Sequence, residues 1–399
     1  MRYLFFLSLT ILLIGCKGKS TEEKSVSAEN TSDVAVIPSD NSASVEPIDL
    51  EKLELLPDPK NYDIVPVVKD LTNSWGMDWL PNGDLLFTEK DGMLYRHDGK
   101  ELFEIANVPE VYVRGQGGLL DVIVHPDFDT NNLIYISYAS SEGAGAGGNT
   151  AIAKAELINN SLENLEVLYK ATPNTKKGQH FGSRFAWGKD NMLYFSIGER
   201  GARDVNPQDL TRDGGKIYRI HDDGRIPEDN PFLDVKGAKT AAYTYGNRNP
   251  QGLLSHPETG QIIAHEHGPK GGDEINIITA GSNYGWPVIS YGVNYSGTKF
   301  TDKVKQEGMK QPMAYWDPSI APCGFDIIDS ERYGDWKGNY LVGSLKFQYL
   351  EMLQPQGYRI VKRVKLVEDF GRLRNVKMGP DGLIYIGVEG KGIYRLEPR

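Results

Sequence analysis

Pro380-Asp381-Gly382-Leu383-Ile384-Tyr385-Ile386 is the stretch that decides the fold. A Pro-Asp-Gly turn runs straight into β-branched and aromatic residues, which is the composition of a tight turn feeding a strand. The same unit recurs upstream in Pro81-Asn82-Gly83-Asp84-Leu85-Leu86-Phe87 and in His125-Pro126-Asp127 leading to Leu133-Ile134-Tyr135-Ile136. Lys189-Asp190-Asn191-Met192-Leu193-Tyr194-Phe195 repeats it, as does His256-Pro257-Glu258 leading to Gln261-Ile262-Ile263. Asp335-Trp336-Lys337-Gly338-Asn339-Tyr340-Leu341-Val342 completes the set. The copies number about six, at intervals of roughly 45 to 75 residues, a little longer than compact propeller repeats. Second strands follow closely in Gly92-Met93-Leu94-Tyr95-Arg96 and Gly392-Ile393-Tyr394-Arg395-Leu396. Such short, turn-bounded strands predict an all-β chain, a six-bladed β-propeller of four-stranded antiparallel blades over residues 51–399. Ile64–Val68 is expected to join the last blade and close the ring, because an open sheet edge invites pairing with other chains. The inserts between copies become long loops on one face, where sites are commonly built.

The N-terminus carries a different signal. Arg2 precedes the apolar run Tyr3 to Ile14, which is too short to span a bilayer and reads as a signal segment. Leu13-Ile14-Gly15-Cys16 resembles a bacterial lipobox. This predicts a signal peptide over residues 1–15, a diacylated Cys16 as the mature terminus, and a disordered tether over residues 16–50. The expected location is the bacterial cell envelope, periplasmic or cell-surface, held to the membrane through the lipid anchor only. Cys323 is the one other cysteine, so a lipidated Cys16 leaves no intrachain disulfide. A formal charge of -10 argues against general nucleic-acid binding.

Chemistry concentrates between Tyr243 and Tyr284. Arg248-Asn249 sits between Gly246 and Pro250, a turn that presents a guanidinium from a loop. After the run Gln261 to Ala264 comes a second loop, Glu266-His267-Gly268-Pro269-Lys270-Gly271-Gly272-Asp273-Glu274, whose carbonyls and carboxylates suit a hard cation such as calcium. The plainer reading is two polar loops capping a strand. His265 and His267 share a face and could form a metal pair, although no third ligand is evident. His125 and His256 lie in matching His-Pro turns and read as structural, while His97 and His221 sit beside Asp in turns and read as solvated. His180 lies in a loop before a blade strand and Glu199 follows that strand, so the carboxylate could hold the imidazole as a general base. Arg248, Lys346, Arg372 and Arg374 all fall in loops or at strand ends. Arg372 and Arg374 alternate about Leu373 and point the same way. Together the four would hold a polyanion; separately they form a solvated basic edge.

The motifs in order resemble those of the soluble quinoprotein sugar dehydrogenases, the glucose/sorbosone dehydrogenase family, from about Asn61 to the C-terminus. They include Gly115-Gln116-Gly117-Gly118, His180-Phe181-Gly182-Ser183-Arg184, Ile226-Pro227-Glu228-Asp229-Asn230-Pro231-Phe232 and Tyr245-Gly246-Asn247-Arg248-Asn249-Pro250-Gln251-Gly252. Glu266-His267-Gly268-Pro269, Asp273-Glu274-Ile275-Asn276, Asn283-Tyr284-Gly285-Trp286-Pro287, Ser319-Ile320-Ala321-Pro322, Leu345-Lys346 and Arg372-Leu373-Arg374 continue them. The resemblance implies a six-bladed propeller that binds pyrroloquinoline quinone (PQQ) and calcium and oxidises aldose sugars at C1 to the lactone. It implies that His180 is the base, that Gln116 and Asp229 lie near the sugar, and that Arg248 and Asn249 contact the quinone. It assigns Tyr291, Ser319, Lys346, Arg372 and Arg374 to the cofactor. The carbonyls of Gly268 and Pro269 match ligands of a calcium beside it, and Glu274 with the Tyr284 carbonyl a structural calcium. An external acceptor, quinone or cytochrome, would take the electrons. Two departures from the pattern are Ser183, where Gly is usual, and Gln179, where the glucose enzyme has an acid. The competing expectations are a calcium-dependent propeller lactonase or hydrolase and a non-catalytic propeller that binds a glycan or protein.

Overall fold

The computed structural model describes residues 46–399. The signal segment, the Cys16 lipidation site and the tether up to residue 45 lie outside the described residues. The chain from residue 46 forms six small sheets, one for each turn–strand copy in the sequence. The strand within each copy becomes the second strand of its sheet: Leu85–Glu89, Leu133–Ser140, Leu193–Ile197, Ile262–Glu266, Tyr340–Ser344 and Ile384–Val388. These strands are buried almost throughout, because each blade is sandwiched between two others. That is why they read as continuous apolar runs rather than as alternation. The turn before Ile384 needs a left-handed residue, which Gly382 supplies at φ 73°; Asn191 does the same at φ 61° in the third blade.

The innermost strands are Ser74–Trp79, Leu119–Val124, Phe185–Trp187, Pro250–Ser255, Pro322–Ile327 and Leu373–Met378. Each packs on the next, and the sixth packs on the first, so the ring is closed. The closure works as the sequence predicts. Tyr62–Lys69 pairs antiparallel with Gly392–Pro398 and becomes the outer strand of the last blade. Apolar clusters fill the gaps between blades, one of them joining Phe87 of the first blade, Leu341 of the fifth and Ile384 of the sixth.

Three blades depart from four strands. The third has three strands, with a single Tyr218–Ala242 bridge in place of the fourth, because the chain after Ile220 is spent on turns and loops. The fourth and fifth gain an extra parallel strand each. Ile48–Asp49 pairs with Ala314–Trp316, and Leu55–Leu56 with Arg359–Leu366. Leu50, between them, is fully buried, and Glu51 makes two 2.9 Å contacts with Arg363. Residues 46–50, which the composition assigns to the tether, therefore belong to the folded body. Ile48, Leu50 and Leu53 give that segment apolar surface to bury.

The channel at the centre is polar. Arg184 crosses it, donating to the carbonyls of Trp75 at 3.1 Å, Gln251 at 3.0 Å and Arg374 at 2.8 Å, with its guanidinium 3.9 Å above the Trp75 ring. This plug ties four blades together and forms the floor beneath the loops of one face.

Candidate active site

The third blade positions the first pair of residues. His180 precedes its inner strand and Glu199 follows the second, so the hairpin returns both to one end. The His180 imidazole Nδ1 bonds to Glu199 Oε1, and the Glu199 side chain is only 3% exposed. Glu199 Oε2 has no partner. The His180 backbone N–H donates to Gln116 Oε1 at 2.6 Å, so Gln116 fixes the loop as well as facing it. His180 itself sits at φ 57°. A left-handed histidine costs energy, and the surrounding contacts hold it there. Arg200 does most of the holding. It donates to the carbonyls of Gln179, Lys177 at 2.9 Å and Gly148 at 3.1 Å, and lies 3.3 Å above the Phe181 ring. Gly198 admits no side chain, since a Cβ would lie 2.4 Å from the His180 carbonyl. Ser183 turns its hydroxyl back to the Phe181 carbonyl at 3.1 Å, away from the imidazole. Burial lowers the His180 pKa; the Glu199 bond opposes this and Arg248 adds to it.

The fourth blade supplies the opposite wall. Glu266, at the end of its second strand, binds the turn carrying Arg248 and Asn249. Its carboxylate accepts from Asn247 Nδ2 at 3.0 Å, from the Arg248 N–H, and from the Asn249 N–H at 3.3 Å. Arg248 Nη1 donates to the His267 carbonyl at 3.1 Å, and the guanidinium stands 5.2 Å from the Trp286 ring. Asn249 Oδ1 accepts from the Gly182 N–H at 3.1 Å, linking the two walls. Three buried donors lack partners: Arg248 Nε, Asn249 Nδ2 and Trp286 Nε1. A cleft of about 460 Å³ runs between the walls, lined by Gln179, Glu199, Arg248, Pro269, Trp286 and Tyr295 among others. That volume suits a small-molecule ligand.

The cations continue around the rim. Asp273 ties the Gly268 loop to the Ser319 loop, accepting from the Gly268 N–H at 2.7 Å, Ser319 Oγ at 2.9 Å and the Ala321 N–H at 2.8 Å. Ser319 also touches the Pro269 carbonyl at 3.1 Å. Lys346 Nζ donates to the Ser319 carbonyl at 3.2 Å, and Arg372 Nη1 to the Leu345 carbonyl at 3.0 Å. Arg372 and Arg374 point the same way and share Glu389, with Nε contacts of 2.6 Å and 2.8 Å. Burial pushes the Glu389 carboxyl up, but the two guanidiniums outweigh it and hold it below its ordinary range. Contacts thus link Arg248 to the His267–Pro269 segment, that segment to Ser319, Ser319 to Lys346, and Arg372 to Leu345 beside it.

Behind this rim Glu266, buried, and Glu274, partly buried, face each other across the ladder, and desolvation is the first cause that raises the pKa of each. Asn276 Nδ2 bridges them at 3.4 Å and 3.2 Å, and its Oδ1 has no partner. Among the described residues no three His, Cys, Asp or Glu side chains are grouped as a metal site. A cation here would need carbonyls too, such as that of Tyr284.

Two expected residues lie elsewhere. Asp229 forms an ion pair with Arg219 at 2.7 Å, and Arg219 also binds Asp190, in the turn at the far end of the blade from His180. The loop containing Asp229 follows a strand, Lys216–Ile220, that runs away from the cleft. Tyr291 stacks on Tyr315 at 4.0 Å and donates to Gln311 Oε1 at 2.8 Å, away from the cleft. Tyr295, 75% exposed, stands at the cleft rim instead. In this turn-rich insert no period distinguishes one tyrosine from the other. His265 and His267 form no metal pair, because they bond through Nε2 to the carbonyls of Gly324 at 2.9 Å and Pro322 at 2.8 Å. The sequence assigns no role to Arg200 or Trp286 and gives Glu266 only as a carboxylate of the cation loop, since each acts through contacts far apart in the chain.

Residues 71–395 match the family model described as glucose/sorbosone dehydrogenase. Aldose sugar dehydrogenase YliI of Escherichia coli (strain K12) is 36% identical over 332 residues, covering 81% of this chain and 89% of that protein. Quinoprotein glucose dehydrogenase B of Acinetobacter calcoaceticus is 30% identical over 324 residues, 73% of this chain and 65% of that one. Among solved structures, the PQQ-bound form of an aldose sugar dehydrogenase from Streptomyces coelicolor superposes with a TM-score of 0.69 at 28% identity, covering 85% of this chain and 99% of that one. Fold, motif order and relatives agree: the chain belongs to the glucose/sorbosone dehydrogenase family.

Proposed function

We propose that this protein oxidises aldose sugars at C1 to the lactone, using PQQ and calcium. The observation that carries the reading is the His180–Glu199 pair, whose Glu199 lines a cleft together with Arg248 and Trp286, each of which has an unpartnered donor, as does the neighbouring Asn249. The residues present fit such a cofactor. PQQ has three carboxylates and vicinal carbonyls, which match Lys346, Arg372 and Arg374 along the rim and the free donors of Arg248 and Asn249. Calcium fits the carbonyl-rich Gly268-Pro269 loop, and a second ion fits the Glu266–Glu274 pair with Asn276 Oδ1, to which the family resemblance adds the Tyr284 carbonyl. When bound, the quinone accepts the hydride while calcium polarises it.

The chain's own work is proton handling and positioning. Glu199 holds Nδ1, which leaves Nε2 of His180 to take the proton of the C1 hydroxyl. Gln116 and Arg200 keep the imidazole in its left-handed loop. Arg248 and Asn249 offer donors where negative charge builds. The test is reduction of a dye by aldoses, with PQQ and calcium each supplied and withheld. No reduction in the fully reconstituted protein would overturn the reading.

The rim should behave as one site. Lys346→Ala and Arg372→Ala are each expected to weaken PQQ binding by roughly 1.5–3 kcal/mol, the worth of a charged hydrogen bond. Calorimetry giving parental affinity in both variants would separate these cations from the cofactor.

The location is proposed on the lipobox alone. Cys16→Ala is expected to shift the protein from the membrane to the soluble fraction, or to block processing. Unchanged partitioning together with an unchanged mass would remove the anchor.

A further inference from the structure

On the basis of the aldose oxidation proposed above, we propose that the cleft selects aldoses carrying a carboxylate, the hexuronic acids, whether free or at the reducing end of a uronate oligosaccharide. The chain as a whole is acidic, at -10, yet cations surround the His180 side of the cleft. Lys177 and Arg203 both line it. The Lys177 ammonium rests on the Gly201 carbonyl, and no carboxylate lies within ion-pair distance of it among the described residues. Lys90 reaches in from the first blade and donates to the Gly115 carbonyl at 3.1 Å. Gly115 packs against the His180 loop, where the Gln116 N–H donates to the Gly178 carbonyl at 2.7 Å. Exposed Arg114 precedes it.

The opposing charges are few. Asp204 lines the cleft and pairs with Arg203 at 2.9 Å, and Glu199 is engaged by His180. Arg203 keeps a contact to Asn294 Oδ1 at 2.9 Å and lies 4.9 Å from the Phe300 ring, so its position in the wall is held from two sides. The cations fitted to the cofactor, Lys346, Arg372 and Arg374, belong to the fifth and sixth blades. Lys90, Arg114, Lys177 and Arg203 come from the first three blades and the inserts between them; Lys177 and Arg203 line the cleft, and of these two Lys177 has no carboxylate partner among the described residues. At physiological ionic strength charges beyond about 8 Å are screened, so an anion entering the cleft meets these cations rather than the net charge of the chain. A neutral hexose gives them nothing to bind. A hexuronate with C1 at His180 would carry its carboxylate at the other end of the ring, and Lys177, which lines the cleft without a carboxylate partner among the described residues, is the cation assigned to receive it.

The experiment uses the protein reconstituted with PQQ and calcium, and a cationic acceptor dye that does not compete for the cations. Galacturonate is compared with galactose, glucuronate with glucose, and digalacturonate with free galacturonate. At low salt each uronate is expected to exceed its neutral parent by about tenfold in kcat/KM, in keeping with one charged contact, and the advantage should shrink as salt is added. Lys177→Gln is expected to cost the uronates about tenfold and the neutral sugars less than threefold, with Arg203→Gln acting in the same direction. A digalacturonate rate above that of the monomer would assign the oligosaccharide end as substrate, and the reverse order the free acid. Equal kcat/KM for acid and neutral sugars, or equal losses for both in Lys177→Gln, overturns the proposal while leaving aldose oxidation intact. Absence of turnover with every aldose overturns aldose oxidation itself, and this inference with it.

Discussion

His180→Gln is expected to bind PQQ as the parent does and to oxidise aldoses about 10²–10⁴-fold more slowly, the usual contribution of a positioned base. The contacts fitted to the cofactor lie on Arg248, Lys346, Arg372 and Arg374, none of which bonds to the imidazole. The loop also keeps its anchors, because Gln116 holds residue 180 by its backbone and Arg200 holds its neighbours. Glu199→Gln should cost less, since an amide can still accept from Nδ1 while losing the charge that favours an imidazolium. The pH profile separates a base from a structural residue. Burial lowers the imidazole pKa below its ordinary 6.5, with the Glu199 bond opposing, so the base is neutral and competent at neutral pH. The rate should fall on the acid side below pH 6.5. In Glu199→Gln the raising influence is gone, and that limb should move to still lower pH. In His180→Gln it should be absent. A His180→Gln protein that binds PQQ and turns over at the parental rate would require another base.

The fold was legible because its repeating signal is local. Each copy carries its own turn chemistry and a strand buried on both faces, so Pro380 to Ile386 alone states what the other blades repeat. The closing strand could be read from the ring's need for a partner at Ile64 to Val68. The extra strands Ile48–Asp49 and Leu55–Leu56 were hidden by brevity, since two residues establish no period. Within the site, His180 and Glu199 could be paired from the sequence because one short hairpin separates them. Glu266 holds Arg248 through the other end of a strand, and Arg200 reaches three carbonyls on loops before it. Contacts of that kind exist only after folding. Asp229 failed for the converse reason: a motif fixes a residue in the chain, but the direction of the strand before it decides which end of the propeller it reaches. Tyr291 shows the same limit inside an irregular insert.

Calcium removal is expected to abolish dye reduction and to lower the melting temperature by several degrees, with both restored when calcium is returned. Glu266, buried, and Glu274, partly buried, stand opposite each other on adjacent strands, and like charges so placed destabilise a sheet. Asn276 offers one amide group between them and leaves its own oxygen unsatisfied. Asn276 Oδ1 and the two carboxylates are the groups that would hold a divalent ion here, and oxygen-only donors favour a hard cation. An ion held at a hundred times its dissociation constant, and bound only by the folded chain, stabilises it by about 2.7 kcal/mol. The two calcium sites can then be told apart. Glu274→Gln removes one of the opposed charges, so its melting temperature should lose most of its response to calcium. Its turnover should still depend on calcium, because the carbonyls of Gly268 and Pro269, in the loop that joins the two strands, are held by Asp273 and Ser319 and not by Glu274. Melting curves and rates that are the same in chelator and in calcium would exclude the ion from both places. A Glu274→Gln protein whose melting temperature still follows calcium as the parent's does would move the stabilising ion away from the Glu266–Glu274 pair.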